Sequence, residues 1–259
     1  MRIAKLSIKI ILIAAMAVFA IAFFRQEKLP DSRLIWPQLY NDARQTETAA
    51  KPFKIAKDKF TAEIEPVYDY ELHGLIVADY DAHVWHDITH KNDPFNTKDI
   101  CVIWGSNLKD NLYHDFKFTH GEFTCFYQTN SATAYRNFSE DKLSNNHLLL
   151  VDETIEKIIK QAKIGDQVKL GGQLVNYRVS GPERTGGSRN SSISRVDRGN
   201  GACEVVLVND FTILQTGNPL WSLAYKYSSH AIWGCLAVWL LLFIFEIISG
   251  WRTGKEEGI

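Results

Sequence analysis

No CxxC, CxxCH, HExxH or GxSxG occurs anywhere in the chain. The missing cysteine pairs exclude a thioredoxin-like dithiol and covalent haem. The other two absences exclude a zincin helix and a nucleophile-elbow serine. Charge of one sign is also lacking: 29 basic residues face 30 acidic ones, for a net charge of −1. Nucleic-acid binding by bulk charge is therefore excluded. No internal repeat is visible.

Apolar residue is abundant, and it gathers at the two ends. "LSIKIILIAAMAVFAIAFF" (6–24) and "AIWGCLAVWLLLFIFEIIS" (231–249) are each long enough to cross a bilayer, which takes about 20 helical residues. Arg2 and Lys5 precede the first run, and Arg252 and Lys255 follow the second. Short positive flanks stay on the cytoplasmic side, so both termini are expected there. Lys9 can snorkel to the headgroups, and Trp233 and Trp251 suit an aromatic belt. An alternative for the first run is a cleaved signal peptide ending at "AIA" (20–22). Under either reading the middle of the chain is exported. The expected order is a membrane helix over 1–24, a linker over 25–60 and an exported domain over 61–216. An interfacial segment (217–230), a second membrane helix (231–251) and a cytoplasmic tail (252–259) follow.

Between the apolar runs acids exceed bases by three. Cys101, Cys125 and Cys203 lie there, and Cys235 lies in the second run. An oxidising compartment permits a bridge, for which Cys101 and Cys125 are the candidates; the alternative is three buried thiols.

Strand signals dominate the exported part. "VYDYELHGLIVADY" (67–80) alternates at strand period, with Gly74 marking a bend. "KDICVIWGS" (98–106) reads as a strand buried on both faces. "YHDFKF" and "EFTCFYQ" flank a turn and predict a hairpin. One helix is clear: Asp152 caps "DETIEKIIKQAK", whose isoleucines share a face, and Gly165 follows its end. "DQVKLGGQLVNYRV" (166–179) and "ACEVVLVNDFTIL" (202–214) are further strands, separated by a Gly/Ser/Arg-rich loop (180–201).

The stretch "IGDQVKLGGQLVNYRV" resembles the strand of OB-fold proteins in which a Gly-Asp turn leads into a curling strand. The resemblance covers sixteen residues and implies a partly open barrel. "YDYELHGLIV", "KDICVIWGSN", "NNHLL" and "GNGACEVVLV" together are similar to a group of bacterial envelope proteins of unassigned activity. That likeness implies no cofactor, reaction or site residue. The expected class is mainly β (α+β), an OB-like partly open barrel with one helix, between two membrane helices.

Three features are candidate sites. "HVWHDITH" (83–90), if helical, sets His86 and His90 at the i, i+4 spacing that holds zinc, with Val84, Trp85 and Ile88 turned inward. If it is a loop, it is an imidazole-rich rim. In the loop 180–201, Arg184, Arg189, Arg195 and Arg198 offer forks for a carboxylate, a phosphate or an acidic surface. "SNNHLLL" (144–150) reads as an Asn-rich capping turn. Glu246, inside the second apolar run, marks either pairing with Arg252 or contact with another membrane protein. No complete catalytic set assembles, so the expected function is non-enzymatic. It is an inner-membrane-anchored periplasmic module that binds another envelope protein or a ligand without a cofactor. The alternative is a zinc-dependent hydrolase at His86 and His90.

Overall fold

The computed structural model describes residues 2–182, 185–197 and 202–256. The chain divides into two compact units, 1–28 with 218–259 and 29–217.

The first unit is a pair of helices, α1 (Arg2–Arg25) and α4 (Pro219–Glu256). Lys5–Arg25 and Pro219–Ile247 have mean hydropathies of 2.6 and 2.0, and both are long and apolar enough to cross a membrane. Phe19 stacks on Tyr225 at 4.7 Å, and Lys5 Nζ lies 2.5 Å from Glu246 Oε2. A rising number on one helix meets a falling number on the other, so the pair is antiparallel. Residues 219–230, expected to lie apart at the interface, are the opening turns of α4. Pro219 starts that helix, where its missing N–H costs nothing.

The second unit is an α+β domain built on one mixed sheet of eight strands. These are β1 (Arg44–Glu47), β2 (Phe53–Lys57), β3 (Phe60–Asp81), β4 (Asn96–Ile103), β7 (Leu143–Leu149), β8 (Gln167–Ser180), β9 (Thr185–Arg189) and β10 (Glu204–Gln215). The strand path runs β1-β3-β4-β7-β10-β8-β9, with β2 added to β3. Strands β1 and β9 end that path. Residues 25–60 are no linker: β1 and β2 pair with β3, and Leu39 is fully buried.

Strand β3 has 22 residues, too many to stay straight over one small core. Its first part pairs β8 and its last part pairs β4, with register shifts at Pro66/Tyr68 and Ile76/Ala78. Proline, which cannot donate to a ladder, stands at the first shift. Just before the second shift, Gly74 lets β3 close up on β4; a Cβ would lie 2.3 Å from Val102 Cγ1. The pair β7–β10 is parallel. Between β7 and β8 the chain forms α3 (Glu153–Gln161), capped by Asp152, whose carboxylate accepts from Thr154 and Ile155 N–H. Ile155, Ile158 and Ile159 of α3 pack on a core of Leu72, Ile100, Trp104, Leu148, Leu170 and Val206.

A two-stranded hairpin, β5 (Lys117–His120) and β6 (Cys125–Gln128), forms its own small sheet. A short helix, α2 (Ala132–Asn137), follows it. Cys101 on β4 and Cys125 on β6 are joined by a disulfide, with Cα atoms 5.8 Å apart. The bridge ties the hairpin to the main sheet.

Candidate functional site

Between the hairpin, β7, the start of β10 and the chain after β9 lies a cavity of about 670 Å³. Phe123, Asn145, His147, Arg189, Arg195, Cys203 and Glu204 are among its lining residues. Two polar clusters meet there.

The outer cluster starts from the histidine-rich stretch. Residues 83–90 form turns rather than a helix. Asp87 folds the segment onto itself: its Oδ1 accepts the backbone N–H groups of Thr89 and His90 at 2.7 and 2.9 Å. Asp87 Oδ2 accepts from Tyr80 Oη at 2.9 Å and from His90 Nδ1 at 2.6 Å. Burial pushes this carboxyl up, but the His90 backbone N–H, the His90 ring and the Tyr80 hydroxyl outweigh it and hold the group down to about 2. His90 Nε2 then accepts from Arg189 Nη2 at 3.3 Å.

The expected zinc pair is therefore corrected. His90 is buried with both ring nitrogens in use, while His86 is exposed. Trp85 and Ile88, expected to point inward, are 95% and 82% exposed. Among the described residues no group of three or more His, Cys, Asp or Glu could hold a metal.

Arg189 stands between two Asp–His pairs. Its Cζ lies 4.2 Å over the Phe123 ring, and its Nη1 is 2.9 Å from His147 Nδ1. That same nitrogen lies 2.7 Å from Asp99 Oδ2. Asp99 is fully buried, and among the described residues neither of its oxygens has a hydrogen-bond partner.

The inner cluster surrounds Arg195. Its Nη1 donates to Glu204 Oε1 at 2.5 Å and its Nη2 to Gln45 Oε1 at 3.2 Å. Its Cζ lies 5.2 Å from the Tyr70 ring and 5.8 Å from the Trp104 ring. Glu204 is 3% exposed, and among the described residues its Oε2 has no hydrogen-bond partner. Burial pushes its carboxyl up to about 7, against the downward pull of Arg195. Burial likewise pushes the Tyr70 hydroxyl up to about 12.

Neither described loop arginine is thus the open fork that the sequence suggested; each is engaged by the protein itself. Arg184 and Arg198 lie outside the described residues. Cys203 is a free thiol in the cavity wall, 3.3 Å from Asn145 Nδ2, and burial pushes its pKa up. "SNNHLLL" is not a capping turn but most of β7, which delivers Asn145 and His147 to the site. Glu246 pairs with Lys5, a partner that the sequence reading did not name.

Sequence reasoning passed over Asp99 and Glu204. Their signal was a carboxylate inside an apolar strand run, "KDICVIW" and "ACEVVLV". Such a group is buried at a cost and needs a partner. Compared with known proteins, the chain matches no family model, no curated protein and no solved structure.

Proposed function

We propose that this chain is a binding module anchored in the inner membrane of a bacterial envelope, with its β-rich domain on the periplasmic side. The observation that carries the reading is the cavity of about 670 Å³ lined by Arg189, His147, Arg195 and Glu204. Its volume lies in the range of ordinary ligand sites, roughly 300–1,000 Å³. The apolar ends of the chain support the membrane anchor.

The strand pairings favour an OB-like identity. Besides the path β3-β4-β7-β10-β8, strands β3 and β8 pair with each other, β7 and β10 run parallel, and a helix stands between β7 and β8. An OB-like domain uses one strand face with its flanking loops for binding. Asp99 on β4, His147 on β7, His90 before β4 and Arg189 after β8 meet in one cluster, which supports a binding role for this part of the domain. Likeness to bacterial envelope proteins of unassigned activity, on the motifs quoted above, is consistent with this assignment. His86 and His90 do not share a site, which speaks against a zinc-dependent hydrolase.

A photo-crosslinking amino acid placed at Thr124, in the cavity wall, tests the reading in cells. Placed at Lys157 on the exposed side of α3, it serves as the control. The expected result is a discrete adduct from position 124 and none from 157. Equal labelling, or no adduct at 124, overturns the assignment.

A further inference from the structure

Arg195 belongs to a short strap, residues 191–197, whose Ser194, Arg195 and Asp197 line the cavity. Ile193 and Val196 of the strap face solvent. Its base is fixed by Ser192 N donating to Cys203 O at 2.8 Å and Ser192 Oγ donating to Asp197 Oδ2 at 2.5 Å. Gln45 Nε2 holds the Ile193 carbonyl at 2.9 Å. The apolar side chains of the strap point out while its one cation points in. That is the reverse of ordinary surface patterning.

What receives the cation is specific. Two aromatic rings, a carboxylate and an amide oxygen surround the Arg195 guanidinium. A planar cation with several N–H donors suits such a recess better than a compact ammonium does. Arg195 does not use all of it. A guanidinium can grip both oxygens of a carboxylate, yet only Glu204 Oε1 is taken, and among the described residues Oε2 has no partner. The resident guest fits one half of its receptor.

We propose that the recess of Glu204, Gln45, Tyr70 and Trp104 is a guanidinium-recognition site, and that Arg195 is exchanged there for an arginine side chain of a partner protein. This rests on the reading of the cavity as a binding site and names the chemistry that the site takes. The strap is then a built-in competitor, displaced when a partner arginine engages both Glu204 oxygens.

The test uses the full chain in detergent, as wild type and as Arg195→Ala, with methylguanidinium as probe and methylammonium as control. Calorimetry and thermal shift are the readouts. Arg195→Ala is expected to bind methylguanidinium at least about tenfold more tightly than methylammonium. Adding Glu204→Gln is expected to abolish that preference. N-acetylarginine amide is expected to bind wild type saturably, at least about tenfold more weakly than Arg195→Ala, because the tethered Arg195 competes. Should Arg195→Ala not fold, Arg195→Ser carries the same arms. A folded variant with no preference between the two cations overturns the site. Binding by the variant but none by wild type overturns the exchange. Loss of the guanidinium preference with the Thr124 adduct intact defeats this inference alone, whereas loss of the adduct defeats the cavity reading itself.

Discussion

Glu204 and Asp87 answer to pH in opposite senses. Burial holds the Glu204 carboxyl up at about 7, so the folded chain grips that proton more tightly than the unfolded chain does. The stability it contributes is full below the unfolded value, near 4.5, and is lost as pH rises through about 7. The loss is about 3 kcal/mol. Glu204→Gln is expected to flatten thermal stability between about pH 5 and pH 8, where wild type declines. An unchanged slope in thermal unfolding would contradict the assignment. Asp87 is held down at about 2, so its contribution is present above about pH 4 and disappears as pH falls toward 2. Asp87→Asn is expected to cost about 2 kcal/mol at neutral pH, measured by denaturant unfolding, and to remove this part of the acid limb. The sequence around Asp87 suggested a two-histidine face because i, i+4 spacing presumes a helix. An aspartate that bonds the backbone two and three residues ahead favours a turn instead, and the spacing then loses its meaning.

Among elements, periodic ones were legible and contact-defined ones were not. Helix α3 announced itself by its cap and isoleucine spacing; the hairpin was expected as well, but its first strand runs over Lys117–His120, through the expected turn, and residues 113–115 are in a 3-10 helix. Strands β1 and β2 are short edges with few buried side chains, so they leave no hydrophobic pattern; only the ladder of β3 makes them strands. Strand β7 opens with "LSNN", which looks like turn composition, because Asn145 and Asn146 are buried by hydrogen bonds rather than by apolar contact. A Cβ at Gly172 would lie 2.2 Å from the Leu207 carbonyl oxygen on β10. Gly172→Ala is therefore expected to cost roughly 2–4 kcal/mol by prying β8 from β10, seen as a lower denaturant midpoint. Reducing the bridge between Cys101 and Cys125, 24 residues apart, is expected to cost about 3 kcal/mol. A thermal midpoint unmoved by reductant would show that the hairpin needs no tether.

For the molecule as a whole, the antiparallel α1 and α4 place both chain ends on one side of any membrane that the two helices span. In the orientation proposed above, a fluorescent reporter fused at either terminus is expected to fold in the cytoplasm. A cysteine introduced at Lys157 is expected to react with a membrane-impermeant maleimide added outside. Opposite behaviour of the two termini would exclude the hairpin. The long strand β3 has a further consequence, one of time. It leaves the ribosome early, but its partner β8 comes much later: Glu65 and Asn176, joined across the ladder by a hydrogen bond, are 111 residues apart. Strand pairing over such a separation is slow. Most of the sheet's longest strand therefore waits with one row of ladder groups open until most of the domain has been made, and that interval, rather than the finished fold, is when this chain is most exposed to aggregation and proteolysis.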